Sequence, residues 1–209
     1  MSMRRSLFGA TAAAFAVTVL TGCGATVAEP TGEELFERAE SLYLDFRETT
    51  NGVLAAVHDG PWEVGTYGML PSGVGCGDGW KFDLTRTVSI DPAEILGKRE
   101  AVSQHLVEAG FEVEGMDLAS GTVSSGDVIV RKQGVYSLLT VTLIDNGNVV
   151  LTATSPCQPG DIEELDRMMY GDDPIPDWPV PKQEAPSDPI FFGIADGEPR
   201  LPSSPPPAD

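Results

Sequence analysis

From Trp80 to Ile90 the chain alternates: Trp80, Phe82, Leu84, Val88 and Ile90 are apolar, and Asp83, Thr85, Thr87 and Ser89 stand between them. Successive side chains of a strand point to opposite faces, so this stretch is a strand with one buried face. Such a face needs a second layer to cover it, which leaves few architectures open. More strands are expected after Gly110, at 111–118, 127–132, 135–144 and 148–155, with a further candidate at 62–70. The last two form a hairpin around Asp145-Asn146-Gly147-Asn148. A two-residue loop would set Val141 opposite Thr152 and Leu139 opposite Thr154. A three-residue loop sets Leu143 opposite Val149, Val141 opposite Leu151 and Leu139 opposite Ala153. The second register is preferred, because it builds one apolar face and gives Gly147 the left-handed position.

The covering layer is helical. Thr31-Gly32-Glu33-Glu34 reads as a capping box, with Thr31 as cap and Glu34 reaching back. Leu35, Ala39, Leu42 and Phe46 then recur at helical spacing beside Phe36 and Tyr43. Asn51-Gly52 is a candidate break before Val53, Leu54 and Val57 resume. Core packing, the commoner use of such a stripe, is preferred over partner binding. A second helix starts at Asp91-Pro92-Ala93-Glu94, turns Ile95, Val102 and Leu106 inward and stops at Gly110. His105, on this charged helix, reads as a surface histidine rather than a ligand. A short helix is expected at 160–170. Its acids, Asp161, Glu163, Glu164 and Asp166, suit a helix N-terminus and lack the ligand spacing of a calcium loop.

The first residues carry a different message. Arg4 and Arg5 precede an uncharged run from Leu7 to Leu20, too short to span a bilayer and of the length of a signal-peptide core. Leu20-Thr21-Gly22-Cys23 closes the run. This segment resembles the signal peptide and lipobox of bacterial lipoproteins, and the Ala-rich, acidic, Pro-tailed outline is similar to that of small actinobacterial ones. The resemblance implies cleavage before Cys23 and attachment of a diacylglycerol (palmitate-type acyl chains) to its thiol. Two acyl chains on one residue give stable anchoring, each buried CH₂ contributing about 0.8 kcal/mol. The chain is thereby expected at the cell membrane, on its extracytoplasmic face. Residues 1–22 are then the signal peptide, 23–30 the lipidated cysteine with a short tether, 31–172 the folded domain and 173–209 a Pro-rich tail.

With Cys23 lipidated, Cys76 and Cys157 remain, and in an oxidising compartment an even remainder reads as one disulfide. It would close a loop of roughly 80 residues and stabilise by about 4.5 kcal/mol on a chain-entropy account. The alternative, a reactive thiol at Cys76, finds no supporting motif, with His58 and His105 the sole histidines. The bond would bring the end of the last strand to the start of the Trp80 strand, as antiparallel neighbours lie. The expected fold class is α+β: a two-layer domain with a mainly antiparallel sheet of about five strands and two helices on one face.

Charge limits the partners. The chain holds 13 basic and 32 acidic residues, a net charge of −19. Loss of residues 1–22 removes two arginines and no acid, which gives −21. So acidic a chain is not a nucleic-acid binder, which needs a basic patch. It should not lie on an anionic membrane without a lipid anchor. No hydrolase, zinc, redox or nucleotide-loop motif is present, and no catalytic residue, metal or cofactor is expected. From 173 onward lie 11 of the 17 prolines, read as extended tail. Trp178 and the Phe191-Phe192 pair with Ile190 and Ile194 are apolar islands there, expected to dock back on the domain; contact with another envelope protein is the alternative. The preferred function is a non-catalytic binding module of the cell envelope, taking an envelope protein or a small ligand. Alternatives are a carboxylate-dependent enzyme acting on cell-wall material and a structural envelope component.

Overall fold

The computed structural model describes residues 29–65, 71, 73–171, 181–195 and 198–199. Helix α1 (Gly32–Val57) leads into strands β1 (Trp62–Val64), β2 (Gly73–Cys76) and β3 (Gly79–Ser89). A single 3₁₀ turn opens α2 (Ile95–Glu108), followed by β4 (Glu114–Ser120), β5 (Val123–Gln133), β6 (Tyr136–Ile144) and β7 (Asn148–Thr154). Then come β8 (Gln158–Pro159), α3 (Ile162–Tyr170), β9 (Gln183–Glu184), β10 (Ile194–Ala195) and β11 (Glu198–Pro199).

The fold is α+β, built on a large antiparallel sheet of nine strands, seven of them in the order β4-β5-β6-β7-β3-β1-β9. Strands β2 and β8 both pair with the first residues of β3. The hairpin register is the three-residue-loop one: Leu143 faces Val149, Val141 faces Leu151 and Leu139 faces Ala153. Gly147 supplies the positive φ (95°) that the turn requires. Strand β3 lies beside β7, with Leu84 opposite Ala153. Five strands and two helices understate the molecule. The additional strands β1, β2, β8 and β9 are two to four residues long, too short to show a period, and α3 is the third helix. Strand β4 begins later than expected, at Glu114, and β5 earlier, at Val123. Ser124, Ser125 and Gly126 are weak strand formers, so pairing with β4, not propensity, draws them into the sheet.

Helix α1 runs unbroken through Asn51-Gly52. A Cβ at Gly52 would come within 2.9 Å of His105 Nε2, so this glycine is a notch that seats α2, and His105 is half-buried in it. Thr31 makes no side-chain cap. Instead Glu164 of α3 accepts the Gly32 N–H at 2.9 Å, a cap delivered from 132 residues away. Asp91 and Asp161 cap their helices locally, as their positions suggest.

One core joins the layers. Leu35, Ala39, Phe46, Val53 and Val57 of α1 and Val102 and Leu106 of α2 are buried with Phe82, Leu139, Val141, Val149 and Leu151 of the sheet. Each large side chain so buried contributes about 1.5–3 kcal/mol. The segment 181–195, placed in the tail by its prolines, belongs to this body. Phe192 is buried in the core, its ring 5.1 Å from Phe36 and 5.6 Å from Tyr43. Phe191 and Ile194 are buried beside Val64 and Tyr170. Trp178 lies outside the described residues.

Candidate functional site

Two places depart from ordinary packing. The first is polar and sealed. Arg47 of α1, Arg86 of β3 and Glu184 of β9 are 1%, 1% and 5% exposed. Arg47 Nη2 donates to Glu184 Oε1 at 2.5 Å. Arg86 donates to Oε2 through Nη2 at 2.6 Å and Nε at 3.1 Å, and through Nη1 to the Thr85 carbonyl at 2.9 Å. Arg47 Nη1 donates to the Tyr43 hydroxyl at 3.0 Å, and its guanidinium sits 5.8 Å from the Tyr43 ring centroid. Burial pulls the Arg86 pKa below its usual value, against the attraction of Glu184, yet a guanidinium stays protonated. Such a trio stabilises only while all its members are present, since a lone buried charge is strongly unfavourable. Closed to solvent on every side, it offers no surface to a substrate. It fastens the segment around Glu184 to α1 and β3.

The second place is open. Between α2 and the β4–β5 hairpin lies a groove of about 530 Å³, lined by Pro92, Ile95, Leu96, Arg99, Asp117, Ala119, Gly126 and Leu143 among others. Its rim carries large apolar residues in contact with water. Leu96 and Leu118, which line it, are 79% and 50% exposed. Inside it Arg99 Nη1 donates to Asp117 Oδ1 at 2.6 Å. That guanidinium can cross β5 only because residue 126 is glycine: a Cβ there would stand 2.6 Å from Arg99 Cζ. Asp145, at the turn between β6 and β7, accepts from Ser124 N and Oγ, both at 2.9 Å. Those two bonds hold its carboxyl below the usual carboxylate range and tie the neighbouring hairpin to it.

The residues singled out in the sequence fall elsewhere. Cys23 lies outside the described residues. Cys76 and Cys157 are bonded, with Cα atoms 6.0 Å apart, and flank the start of β3, where β2 and β8 meet it. His58 accepts the Trp62 indole N–H through its backbone carbonyl at 2.9 Å. Asp161 and Glu164 serve as helix caps, and burial raises the pKa of Asp166. Among the described residues no three histidines, cysteines or acids gather as a metal site would require. None of their helices is long and apolar enough to cross a membrane.

Sequence reasoning passed over both places. Arg86 occupies an inward position of the β3 alternation, and a charged residue there signals a buried partner. For Leu96 the signal was its absence from the inner stripe of α2. No protein-family model, curated protein or solved structure matches this chain.

Proposed function

We propose that this chain is a lipoprotein of the bacterial cell envelope, held at the outer face of the cytoplasmic membrane by acyl chains on Cys23. Its folded part is a non-catalytic binding module for another envelope protein. The lipobox-like Leu20-Thr21-Gly22-Cys23 supports the anchor. The groove between α2 and the β4–β5 hairpin carries the binding reading, because two large apolar residues, Leu96 and Leu118, line it while 79% and 50% exposed. Clustered exposed apolar surface beside polar residues is characteristic of interaction sites.

The test places a photo-crosslinking amino acid at position 96, and as a control at position 107, in intact cells. Val107 is 60% exposed on the same helix but does not line the groove. A discrete protein adduct from position 96 and none from 107 is expected. The same adducts from both, or none from 96, removes the groove from the proposal. Cys23→Ala is expected to release the chain from the membrane fraction; retention there sinks the anchor.

A further inference from the structure

We propose that the free edge of β4 accepts an extended, lysine- or arginine-bearing segment of a partner protein as an added strand beside the groove. The inference rests on the binding-module reading and gives it a mode and a partner chemistry.

All seven residues of β4 are exposed, and among the described residues β4 is hydrogen-bonded to β5 alone. The hairpin closes on the pair Ser120–Val123 across a two-residue turn. Such a closing pair exchanges hydrogen bonds, and antiparallel pairs alternate from there. The pairs Leu118–Ser125, Met116–Asp127 and Glu114–Ile129 therefore bond inward. Gly115, Asp117 and Ala119 turn their N–H and C=O groups out along the edge. Natural sheets protect such edges with lysine, proline or very short strands. Strand β4 has no lysine and no proline, and it is seven residues long. An added strand gains affinity from these main-chain groups.

Charge selects the occupant. The chain carries −19, β4 itself bears Glu114 and Asp117, and Asp145 lies at the groove. The Asp117 side chain, though bonded to Arg99, is 82% exposed, so it stays accessible to a cation at the edge. A second copy would bring the same negative charge and the same two acids to the edge. A basic strand meets complementary potential.

The probe is the blocked peptide Lys-Val-Lys-Val-Lys-Val-Lys, set against Glu-Val-Glu-Val-Glu-Val-Glu, with binding to the full chain read by anisotropy and amide hydrogen exchange. The lysine peptide is expected to bind and to slow exchange at Gly115, Asp117 and Ala119 by about tenfold or more, and the glutamate peptide to do neither. Ala119→Pro removes an outward N–H and places a ring against the added strand. Asp117→Lys reverses the local charge without touching the backbone. Each is expected to weaken binding by about tenfold while the melting temperature stays within a few degrees. No binding of the lysine peptide, binding without protection of those three amides, or equal binding by Ala119→Pro overturns strand addition. A specific adduct from position 96 alongside any of those results leaves the binding module standing and removes only this mode.

Discussion

At one edge of the sheet β9 contributes two residues, and the carboxylate of Glu184 is engaged by two buried guanidiniums. At the other edge β4 lays seven exposed residues along solvent beside an apolar groove. The contrast separates two uses of the same element. The β9 edge is short and anchored through its one inward side chain, so little of its backbone is offered to another chain. The β4 edge keeps its outward hydrogen-bonding groups and makes two exposed-side ion pairs, Arg99–Asp117 and Arg131–Glu114. Exposed pairs of that kind contribute little to stability. Stability is concentrated at one edge, and availability at the other.

The strongest way to break this contrast is Glu184→Gln. It keeps the shape but leaves two buried guanidiniums uncompensated, and a loss of about 3–5 kcal/mol is expected. Urea unfolding monitored by circular dichroism reads it directly. A loss under about 1 kcal/mol would falsify the view of the β9 edge as the fastened one. A companion variant with all three residues apolar should recover most of that loss, because breaking a buried pair costs more than replacing it.

An intermediate effect comes from the core between the edges. Burial pushes the Tyr136 hydroxyl up to about 12, against a hydrogen bond with Thr50. Above pH of about 10 the unfolded chain loses this proton while the folded chain keeps it, so the unfolded state binds fewer protons and stability falls. The contribution is fully present below pH 10, and roughly 2–3 kcal/mol is lost as the pH rises through about 12. Unfolding midpoints across that range should drop for the native chain and much less for Tyr136→Phe. Equal drops would assign the alkaline loss to other groups.

The smallest effect belongs to the open edge. Leu96→Ser and Leu118→Ser change groove residues that are already 79% and 50% exposed, and a stability change within about 0.5 kcal/mol is expected. The same urea titration checks it. A loss above about 1 kcal/mol from either would mean that the groove is part of the core, and the two edges would no longer differ in kind.

The legible parts of the molecule were those with a long period or a turn with a required conformation. Alternation along β6 and β7, together with Asp145-Asn146-Gly147, gave a register, because a one-residue slip there would turn every apolar side chain to water, and the Cys76–Cys157 pair gave β7 its neighbour β3. The caps Asp91 and Asp161 were legible for a local reason: their acceptors reach N–H groups two or three residues on. Long-range substitutions for local chemistry were not. Nothing near Thr31 announces that Glu164 will cap α1, and nothing in a proline-rich stretch announces that Glu184 will meet Arg47. The groove was hidden for a related reason. Leu118 falls in the strand expected at 111–118, and its exposure depends on what covers its face of the sheet, which only the assembled fold decides.

The position of Glu184 also sets an order of events. It lies 137 residues after Arg47 and 98 after Arg86. During synthesis from the N-terminus, both arginines emerge long before the carboxylate that meets them. Until then, packing Arg47 and Arg86 into the core would strand two positive charges away from water, so α1 and β3 cannot close fully on each other at that site. The chain therefore carries its own completion signal. Its last strand in the sheet is what permits the first helix to settle, and a chain halted before that strand remains open at the place where a finished one is shut.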